Sequence, residues 1–400
     1  MGRKPQQSST SYSAKRYAHP FFVPEPPELR SPHKGNHRMA DWHEKQLGPI
    51  PKVRGNGRID LTDIIGAEGV KEISDLGELR FHALGDSGAG DAHEAEMISD
   101  SMAEDYRPGA GALNPAFLLH LGDIIYGNDK THNYGQRFYK PYRRYPGKII
   151  AIPGNHDGEV KAQIDAPSLK AFEANFCATQ AAIPDQASGS GIYRETMTLP
   201  GVYWMLDAPL ARFIGLYSNL VENPGFLEGG GDGAQDKSQI QWLQSTLRHI
   251  KSVGSGERKA LIVATHHPLF SAGGHSGSDH MRDTLDRAFE QADVWPDLVL
   301  SAHSHNYQRY TRRIAGKSIP YIVAGTGGMK PQKVPDATGE PAEKSSDTTY
   351  DGSLASLGYL FVSVSAAEIK TEFWPVDEKG ATRAYDPVSI DLTSHTVRRG

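Results

Sequence analysis

The 400-residue sequence is nearly devoid of cysteine, and Cys177 is its single thiol. No disulfide can form within the chain, so a reducing cytoplasm is the expected compartment, although a cysteine-poor protein can also be exported. Because this thiol lies in none of the motifs described below, any metal ion has to be bound through nitrogen and oxygen ligands.

Long hydrophobic runs are also missing. No stretch approaches the roughly 18 apolar residues that a membrane-spanning helix needs. The basic N-terminus has no apolar segment behind it, so a secretory signal is not expected. The formal net charge is −5, which does not indicate nucleic acid as the main partner. The length allows one large domain or two medium ones.

The first 55 residues differ in composition from the rest. They contain ten Lys or Arg, four Asp or Glu and eight prolines, with little apolar periodicity. Such a segment cannot bury enough surface to order itself, so we expect a flexible basic arm over residues 1–55. It is either a solvated tail or an arm that contacts an anionic polymer such as nucleic acid.

From residue 79 to residue 374 the pattern alternates between strands and helices. Helices are predicted over 92–106, 168–180, 237–253 and 280–292, and polar loops over 228–235 and 329–351. Early strands are continuous apolar runs, whereas the late strands alternate apolar and polar residues. This pattern predicts an α/β domain over 56–376, with two packed mixed β-sheets flanked by helices, followed by a C-terminal tail over 377–400.

Five apolar runs end in residues that can bind a metal. The runs are LRFHALGDSG, AFLLHLGDIIYG, IIAIPGNHD, ALIVATHHP and LVLSAHSHNYQR. Each reads as a buried strand, and in open α/β sheets chemistry gathers at the carboxyl ends of strands. The side chains available there are those of Asp86, Asp123, Tyr126, Asn155, His156, His266, His303 and His305.

These residue types suit the hydrolysis of a phosphate ester. That reaction needs neutralised phosphoryl oxygens, an activated water and a proton for the leaving oxygen. Two metal ions about 3.5–4 Å apart supply the first two requirements, provided that a carboxylate bridges them. His303 and His305 are two residues apart, so an extended segment presents both on one side.

The ordered motifs resemble those of the calcineurin-like metallophosphoesterases, and the tyrosine of GDIIYG resembles the purple acid phosphatases. QIQWLQSTL and PYIVAGTGG resemble two further segments of that family. The resemblance covers residues 79–374. It implies a four-layer α/β/β/α sandwich, two bound metal ions and hydrolysis of phosphate esters.

The resemblance also implies a role for each residue. Asp86, Tyr126 and His305 would bind the first metal, Asn155, His266 and His303 the second, and Asp123 would bridge them. His156 would face the substrate, as would His275, which lies nine residues after His266. Other interpretations stay open, since His156 can support the metal ligands by hydrogen bonding and His275 can be a solvated loop residue.

Most relatives carry D-x-H in the first motif, and that histidine binds the first metal. Gly88 occupies the equivalent position here, so Tyr126 is the natural replacement. A phenolate with two carboxylates and one imidazole suits Fe(III), while an amide and two imidazoles suit Zn(II), Mn(II) or Fe(II).

Three functions are therefore compatible with the sequence. The first is a phosphomonoesterase. The second is a phosphodiesterase that acts on nucleotides, lipid head groups or nucleic acid. The third is a non-catalytic binding module, which the complete set of ligand residues disfavours.

Overall fold

The computed structural model describes residues 47–88, 92–126, 133–160, 167–189, 191–231, 234–253, 258–342 and 345–400. Most of the predicted N-terminal arm, residues 1–46, lies outside these ranges. Within the described residues, no helix is both long and apolar enough to cross a membrane.

The described strands and helices alternate through the first three quarters of the chain, and strands follow one another in the last quarter. In chain order they are β1 (Arg58–Asp60), α1 (Thr62–Leu76), β2 (Glu78–Leu84), α2 (His93–Ala103), β3 (Phe117–His120), β4 (Lys148–Ala151), α3 (Lys170–Phe176), α4 (Asp185–Ser188), β5 (Trp204–Asp207), β6 (Ala211–Gly215), β7 (Gly229–Gly231), β8 (Ala234–Asp236), α5 (Ser238–Val253), β9 (Ala260–Ala264), α6 (Asp279–Ala292), β10 (Leu298–Ser301), β11 (Tyr307–Ile314), β12 (Lys317–Ala324), β13 (Pro341–Ala342), β14 (Ser345–Leu354), β15 (Gly358–Ser365), β16 (Glu368–Asp377), β17 (Gly380–Ala381), β18 (Tyr385–Asp391) and β19 (Thr396–Arg399).

Two large mixed sheets organise these strands. The first has the order β1-β5-β6-β9-β10-β12-β11-β14-β13, and β6, β9, β10 and β12 are parallel within it. The second has the order β19-β18-β16-β15-β2-β3-β4, with β17 beside β16, and β2, β3 and β4 are parallel. Each sheet therefore contains parallel strands, whose sequences are continuous apolar runs, and antiparallel strands from later in the chain.

The two sheets pack face to face through aromatic side chains. Phe213 of β6 contacts Phe81 of β2 and Phe117 of β3, with ring centroids 5.1 and 5.5 Å apart. All three rings are buried, and truncating such a residue to alanine typically costs about 3–5 kcal/mol. Helices α5 and α6 cover the outer face of the first sheet, and α2 packs on β15 and β16 of the second. The predicted fold class is confirmed.

The predicted helices all form, although two are shorter than expected. Helix α6 begins after Ser278, whose Oγ accepts a hydrogen bond from Met281 N and so satisfies one free amide of the first turn. Helix α3 ends at Phe176 instead of continuing to residue 180. The next residue, Cys177, pairs with Thr198 in an isolated β-bridge, which draws the backbone out of the helix.

Both predicted loops contain strands. Strands β7 and β8 pair with each other in the first predicted loop, and the end of the second, from Pro341, contributes to β13 and β14. Strand β14 pairs with β11, and Tyr350 stacks on Tyr310 with centroids 4.8 Å apart. The buried residues of β14 include Thr348 and Tyr350. Because these side chains carry polar groups, the sequence of β14 does not show the aliphatic run that would have predicted a strand.

The described residues at both chain ends also pack on the main body. Leu47 and Ile50 are buried, and the guanidinium of Arg54 donates to main-chain carbonyls near residues 177 and 199. The predicted C-terminal tail contributes β17, β18 and β19 to the second sheet. Its alternating pattern is short, which explains why a strand was not expected there.

Candidate metal centre

The predicted metal-binding residues come together at the carboxyl ends of parallel strands from both sheets. Asp86 follows β2, Asp123 follows β3, Asn155 and His156 follow β4, His266 follows β9, and His303 and His305 follow β10. Because the sheets face each other, these strand ends converge on one region of the molecule. The site thus arises where open α/β sheets generally place their chemistry.

Three of these residues have left-handed backbone conformations. The φ angles are 62° for Asp86, 53° for Asp123 and 68° for His303. Residues with a Cβ rarely adopt such angles, and doing so is costly unless surrounding contacts compensate. Here the amide of Asp86 donates to the Gly122 carbonyl over 2.9 Å, and the amide of His303 donates to Asp86 Oδ2 over 2.7 Å.

One candidate pocket lies between Asp123, Asn155, His266 and His303. Nε2 of His266 is 3.0 Å from Asn155 Oδ1 and 3.4 Å from Asp123 Oδ2. Ligand atoms of Asp123, His266 and His303 all lie within 4.8 Å of one another. Oδ2 of Asp123 is buried and has no hydrogen-bond partner among the described residues. A buried carboxylate oxygen without a donor fits a site that binds a cation.

Main-chain carbonyls determine which imidazole nitrogens face this pocket. Nδ1 of His266 is 2.9 Å from the Leu121 carbonyl, and Nε2 of His303 is 2.7 Å from the Glu222 carbonyl. A neutral imidazole that donates through one nitrogen keeps a lone pair on the other. His266 can therefore bind a metal through Nε2, and His303 through Nδ1.

A second candidate pocket lies between Asp86, Tyr126 and His305. The phenol of Tyr126 donates to Asp86 Oδ1 over 2.8 Å and lies 3.3 Å from His305 Nε2. His305 Nε2 is also 3.7 Å from Asp86 Oδ1. Burial, followed by the charges of Asp123 and Asp86, raises the pKa of Tyr126. Without a cation the phenol therefore keeps its proton, and a metal ion there would have to displace it.

Gly88 has no room for the histidine that most relatives carry at this point. A Cβ on Gly88 would lie 2.2 Å from Ile125 Cα and 2.3 Å from the Ile124 carbonyl oxygen. The backbone of the second motif instead packs directly against Gly88, and the amide of Tyr126 donates to its carbonyl over 3.2 Å. The same close packing brings Tyr126 to the pocket.

The electrostatics of the site favour a bound cation. Burial raises the pKa of Asp86 to about 7. Burial acts against ionisation of Asp123 too, but the neighbouring His266 and His156 hold its pKa below the usual range. Burial would lower the pKa of His266, yet the Asp123 carboxylate raises it to about 9. In the absence of metal, a proton on His266 supplies the positive charge that the carboxylate requires.

His156 lies at the edge of the two pockets. Its ring centroid is 4.4 Å from that of Tyr126, its amide donates to Asp123 Oδ1 over 2.9 Å, and its Nδ1 is 2.8 Å from Glu159 Oε1. Burial lowers the pKa of His156, but the charges of Asp123 and Glu159 outweigh burial and raise it to about 10. The imidazole is therefore held in its protonated form.

His275 packs against His303 and His305 and is largely shielded from solvent. Its ring centroid is 4.4 Å from that of His303 and 5.3 Å from that of His305. Its Nδ1 is 3.3 Å from Asn223 Nδ2, and its Nε2 is 3.3 Å from Gln332 Nε2. Gln332 comes from the segment predicted as a loop, so part of that segment does reach the site.

The sequence did not reveal three acidic residues around the site. Asp157 accepts hydrogen bonds from the amides of Gly154, Ile124 and Ile125, and so joins the second and third motifs. Its place in GNHD could have indicated this role. Glu159 contacts His156, and Glu222 contacts Asn155 through its carboxylate. No sequence motif marks either glutamate.

Four further polar residues near the motifs are held by contacts within the fold. His267 contacts Ser218 and the Val221 carbonyl, and its ring centroid lies 4.3 Å from that of His303, while His82 and His120 are buried in the core. Arg309 forms a buried ion pair with Asp386, over 2.7 Å.

Comparison with known proteins agrees with this geometry. Residues 70–307 match the family model of the calcineurin-like phosphoesterases. That match covers more than half of the chain, and the chain belongs to this family of dimetal-dependent phosphoesterases. The family and the fold expected from the motifs are both confirmed.

More distant similarity extends to individual proteins. Purple acid phosphatase 22 of Arabidopsis thaliana is 24% identical over 266 residues, which make up 63% of this chain and 51% of that protein. The chain thus spans about half the length of this relative. A solved structure of GAP50, described as the anchor in the inner membrane complex of Plasmodium, has a TM-score of 0.51 and 15% identity, covering 77% of this chain and 88% of that one. A solved structure of PhoD has a TM-score of 0.49 and 12% sequence identity, and the match covers 80% of this chain and 71% of that one.

Proposed function

We propose that this protein hydrolyses phosphate monoesters with two metal ions, one in each of the adjoining pockets, bridged by Asp123. The observation that carries the proposal is the buried Asp123 Oδ2, which accepts no hydrogen bond among the described residues and lies 3.4 Å from Nε2 of His266. Family membership supports phosphate-ester hydrolysis in general.

The proposed ligands follow the two pockets. Asp86, Tyr126 and His305 bind one ion, Asn155, His266 and His303 bind the other, and Asp123 binds both. The phenol and carboxylates of the first pocket suit Fe(III), and the amide and imidazoles of the second suit Fe(II), Zn(II) or Mn(II). When bound, such ions stabilise charge on the phosphoryl oxygens and lower the pKa of a water molecule.

Two histidines handle the substrate in this proposal. His156 donates a proton to the leaving oxygen, and its contact with Glu159 fixes the ring and keeps it protonated. His275 donates a hydrogen bond to a phosphoryl oxygen, and its packing against His303 and His305 holds it close to both pockets.

The number of available donors favours monoesters over diesters. A bound phosphomonoester presents three non-bridging oxygens, whereas a diester presents two and carries a second organic group. Two ions and two imidazoles can stabilise all three oxygens of the monoester and its leaving group. The second ester group of a diester would compete for the space beside His275.

The test compares p-nitrophenyl phosphate with bis-p-nitrophenyl phosphate and measures metal content on the same preparation. We expect two ions per chain, faster turnover of the monoester, and loss of both activity and metal in Asp123→Asn. Faster turnover of the diester would replace the proposal by a phosphodiesterase. A protein with two bound ions and no activity on either ester would be a binding module.

A further inference from the structure

Glu222 contacts three residues of the candidate site through three different oxygens. Its Oε2 accepts a hydrogen bond from Asn155 Nδ2 over 3.2 Å, and its main-chain carbonyl accepts one from His303 Nε2 over 2.7 Å. Its Oε1 lies 3.7 Å from His275 Nδ1. The residue comes from the segment that follows β6, outside all five metal-binding motifs.

We propose that Glu222 is a positioning residue, whose carboxylate fixes the amide of Asn155 in the orientation that can bind a metal. The inference rests on the proposed function only in so far as the pocket of Asn155, His266 and His303 holds an ion. It assigns a role to the Glu222 side chain that is separate from the chemistry of ester hydrolysis.

The two ends of the asparagine side chain differ in what they can bind. The oxygen of a carboxamide has lone pairs for a metal, whereas its nitrogen offers only N–H donors. The two ends have nearly the same shape, so packing alone selects poorly between them. Asn155 Oδ1 lies 3.0 Å from His266 Nε2, which is the orientation needed for a ligand in that pocket.

A carboxylate partner removes this ambiguity because it can only accept hydrogen bonds. With Nδ2 towards Glu222 the pair is attractive. After a flip, Oδ1 would face Glu222 Oε2 at about the same distance, and two acceptors would repel each other. Among the described residues, Asn155 Nδ2 donates to Glu222 Oε2 and to no second acceptor. Glu222 is therefore the residue that holds the nitrogen end of this amide.

The main-chain and side-chain contributions of Glu222 can be separated. Its carbonyl fixes the tautomer of His303, and replacing the side chain leaves this carbonyl in place. Its side chain is 51% exposed, whereas Asn155 is buried. Truncation of Glu222 should therefore disturb the Asn155 amide without creating a cavity in the core.

The experiment titrates the metal-free full chain with Zn(II) and follows the heat of binding. We expect the wild type to show two binding events. In Glu222→Ala one event weakens about 10- to 100-fold, the usual effect of losing a group that orients a ligand, and the other is unchanged. Glu222→Gln offers both an acceptor oxygen and N–H donors, so it can pair with either orientation of the Asn155 amide and should restore only part of the affinity. Glu195→Ala is the matched control, since that side chain is 48% exposed and pairs with Lys148 on another part of the surface.

A double-mutant comparison tests whether the effect passes through Asn155. In the background of Asn155→Ala, adding Glu222→Ala should weaken Zn(II) binding no further. Unchanged affinity in Glu222→Ala, equal weakening of both events, or full additivity with Asn155→Ala would each overturn the proposal. If the wild type binds two Zn(II) ions but cleaves no ester, the proposed function fails while this result still decides the role of Glu222. If the wild type binds no Zn(II), both proposals fail.

Discussion

Tyr126 Oη lies 2.8 Å from Asp86 Oδ1, and the phenol donates the hydrogen bond. The two residues are 40 positions apart, and each follows a neighbouring parallel strand. The phenol therefore supplies a potential ligand oxygen to a pocket in which Gly88 offers no side chain.

The first prediction concerns this phenol. Tyr126→Phe keeps the ring, which packs against His156, and removes only the oxygen. We expect the first pocket to lose affinity for Fe(III), and any visible absorption from a tyrosinate–iron bond to disappear, with turnover reduced by about 10-fold or more. Iron content and the visible spectrum of the purified protein measure this. Retained colour would assign the absorption to another residue.

The second prediction concerns Gly88→His, which restores the family's usual sequence at this position. A side chain there would overlap the backbone of Ile124 and Ile125. We expect the variant to be destabilised by about 1–3 kcal/mol or more and to restore no metal binding when combined with Tyr126→Phe. Chemical denaturation and metal analysis check both statements. Recovery of iron in the double variant would contradict the closed packing around Gly88.

The third prediction concerns pH dependence. The protonated form of His156 is the proposed acid, and the carboxylates of Asp123 and Glu159 raise its pKa in the metal-free protein. Bound cations would offset the charge of Asp123 but leave Glu159 at 2.8 Å from Nδ1, so activity that depends on this proton should fall as the pH rises past the pKa of His156. Glu159→Gln removes one of the charges that raise the pKa. The alkaline fall of kcat should then begin at a lower pH.

A matched control for Glu159→Gln is Glu173→Gln. Glu173 is a partly buried acid of helix α3 whose pKa burial raises, and it makes no contact with His156 among those described. Its replacement should leave the pH profile of kcat unchanged. An unchanged profile in Glu159→Gln as well would remove His156 from the role of acid.

The fourth prediction concerns the buried ion pair of Arg309 and Asp386. Asp386 accepts from Nε and Nη2 of Arg309 over 2.7 and 2.9 Å. Asp386→Asn removes the fully buried one of the two carboxylates that pair with the Arg309 guanidinium, so we expect the free energy of unfolding to fall by about 3–5 kcal/mol. Asp351 contacts the same guanidinium over 3.2 Å from a more exposed position. Asp351→Asn should cost less than about 1 kcal/mol, and equal losses in urea denaturation would contradict this distinction.

Much of the candidate site can be predicted from the sequence because each motif that contributes a proposed ligand is local. In the first motif, for example, the buried strand β2 ends at Leu84 and is followed directly by Gly85 and Asp86. The parallel strands of the sheets then bring the separate motifs together. Family resemblance supplies the pairing of ligands with pockets. The structure adds the left-handed backbone at Asp86, Asp123 and His303, which the adjoining glycines only suggest.

The parts that could not be predicted depend on contacts between distant segments. Glu222 lies 67 positions from Asn155, and nothing in its neighbourhood marks it as a partner. Strand β14 carries polar residues on both faces, and its extended conformation depends on pairing with β11 on one side and with the short edge strand β13 on the other. The C-terminal strands are short, and Asp386 gains its role from Arg309, a residue 77 positions earlier.

The position of Asp386 has a consequence for synthesis. Arg309 lies four residues after the proposed ligand His305, and its two carboxylate partners are Asp351 and, from β18, Asp386. Before β18 is translated, the guanidinium has only the first of these partners. The complete ion-pair network beside the fifth motif can therefore form only once residue 386 has emerged from the ribosome.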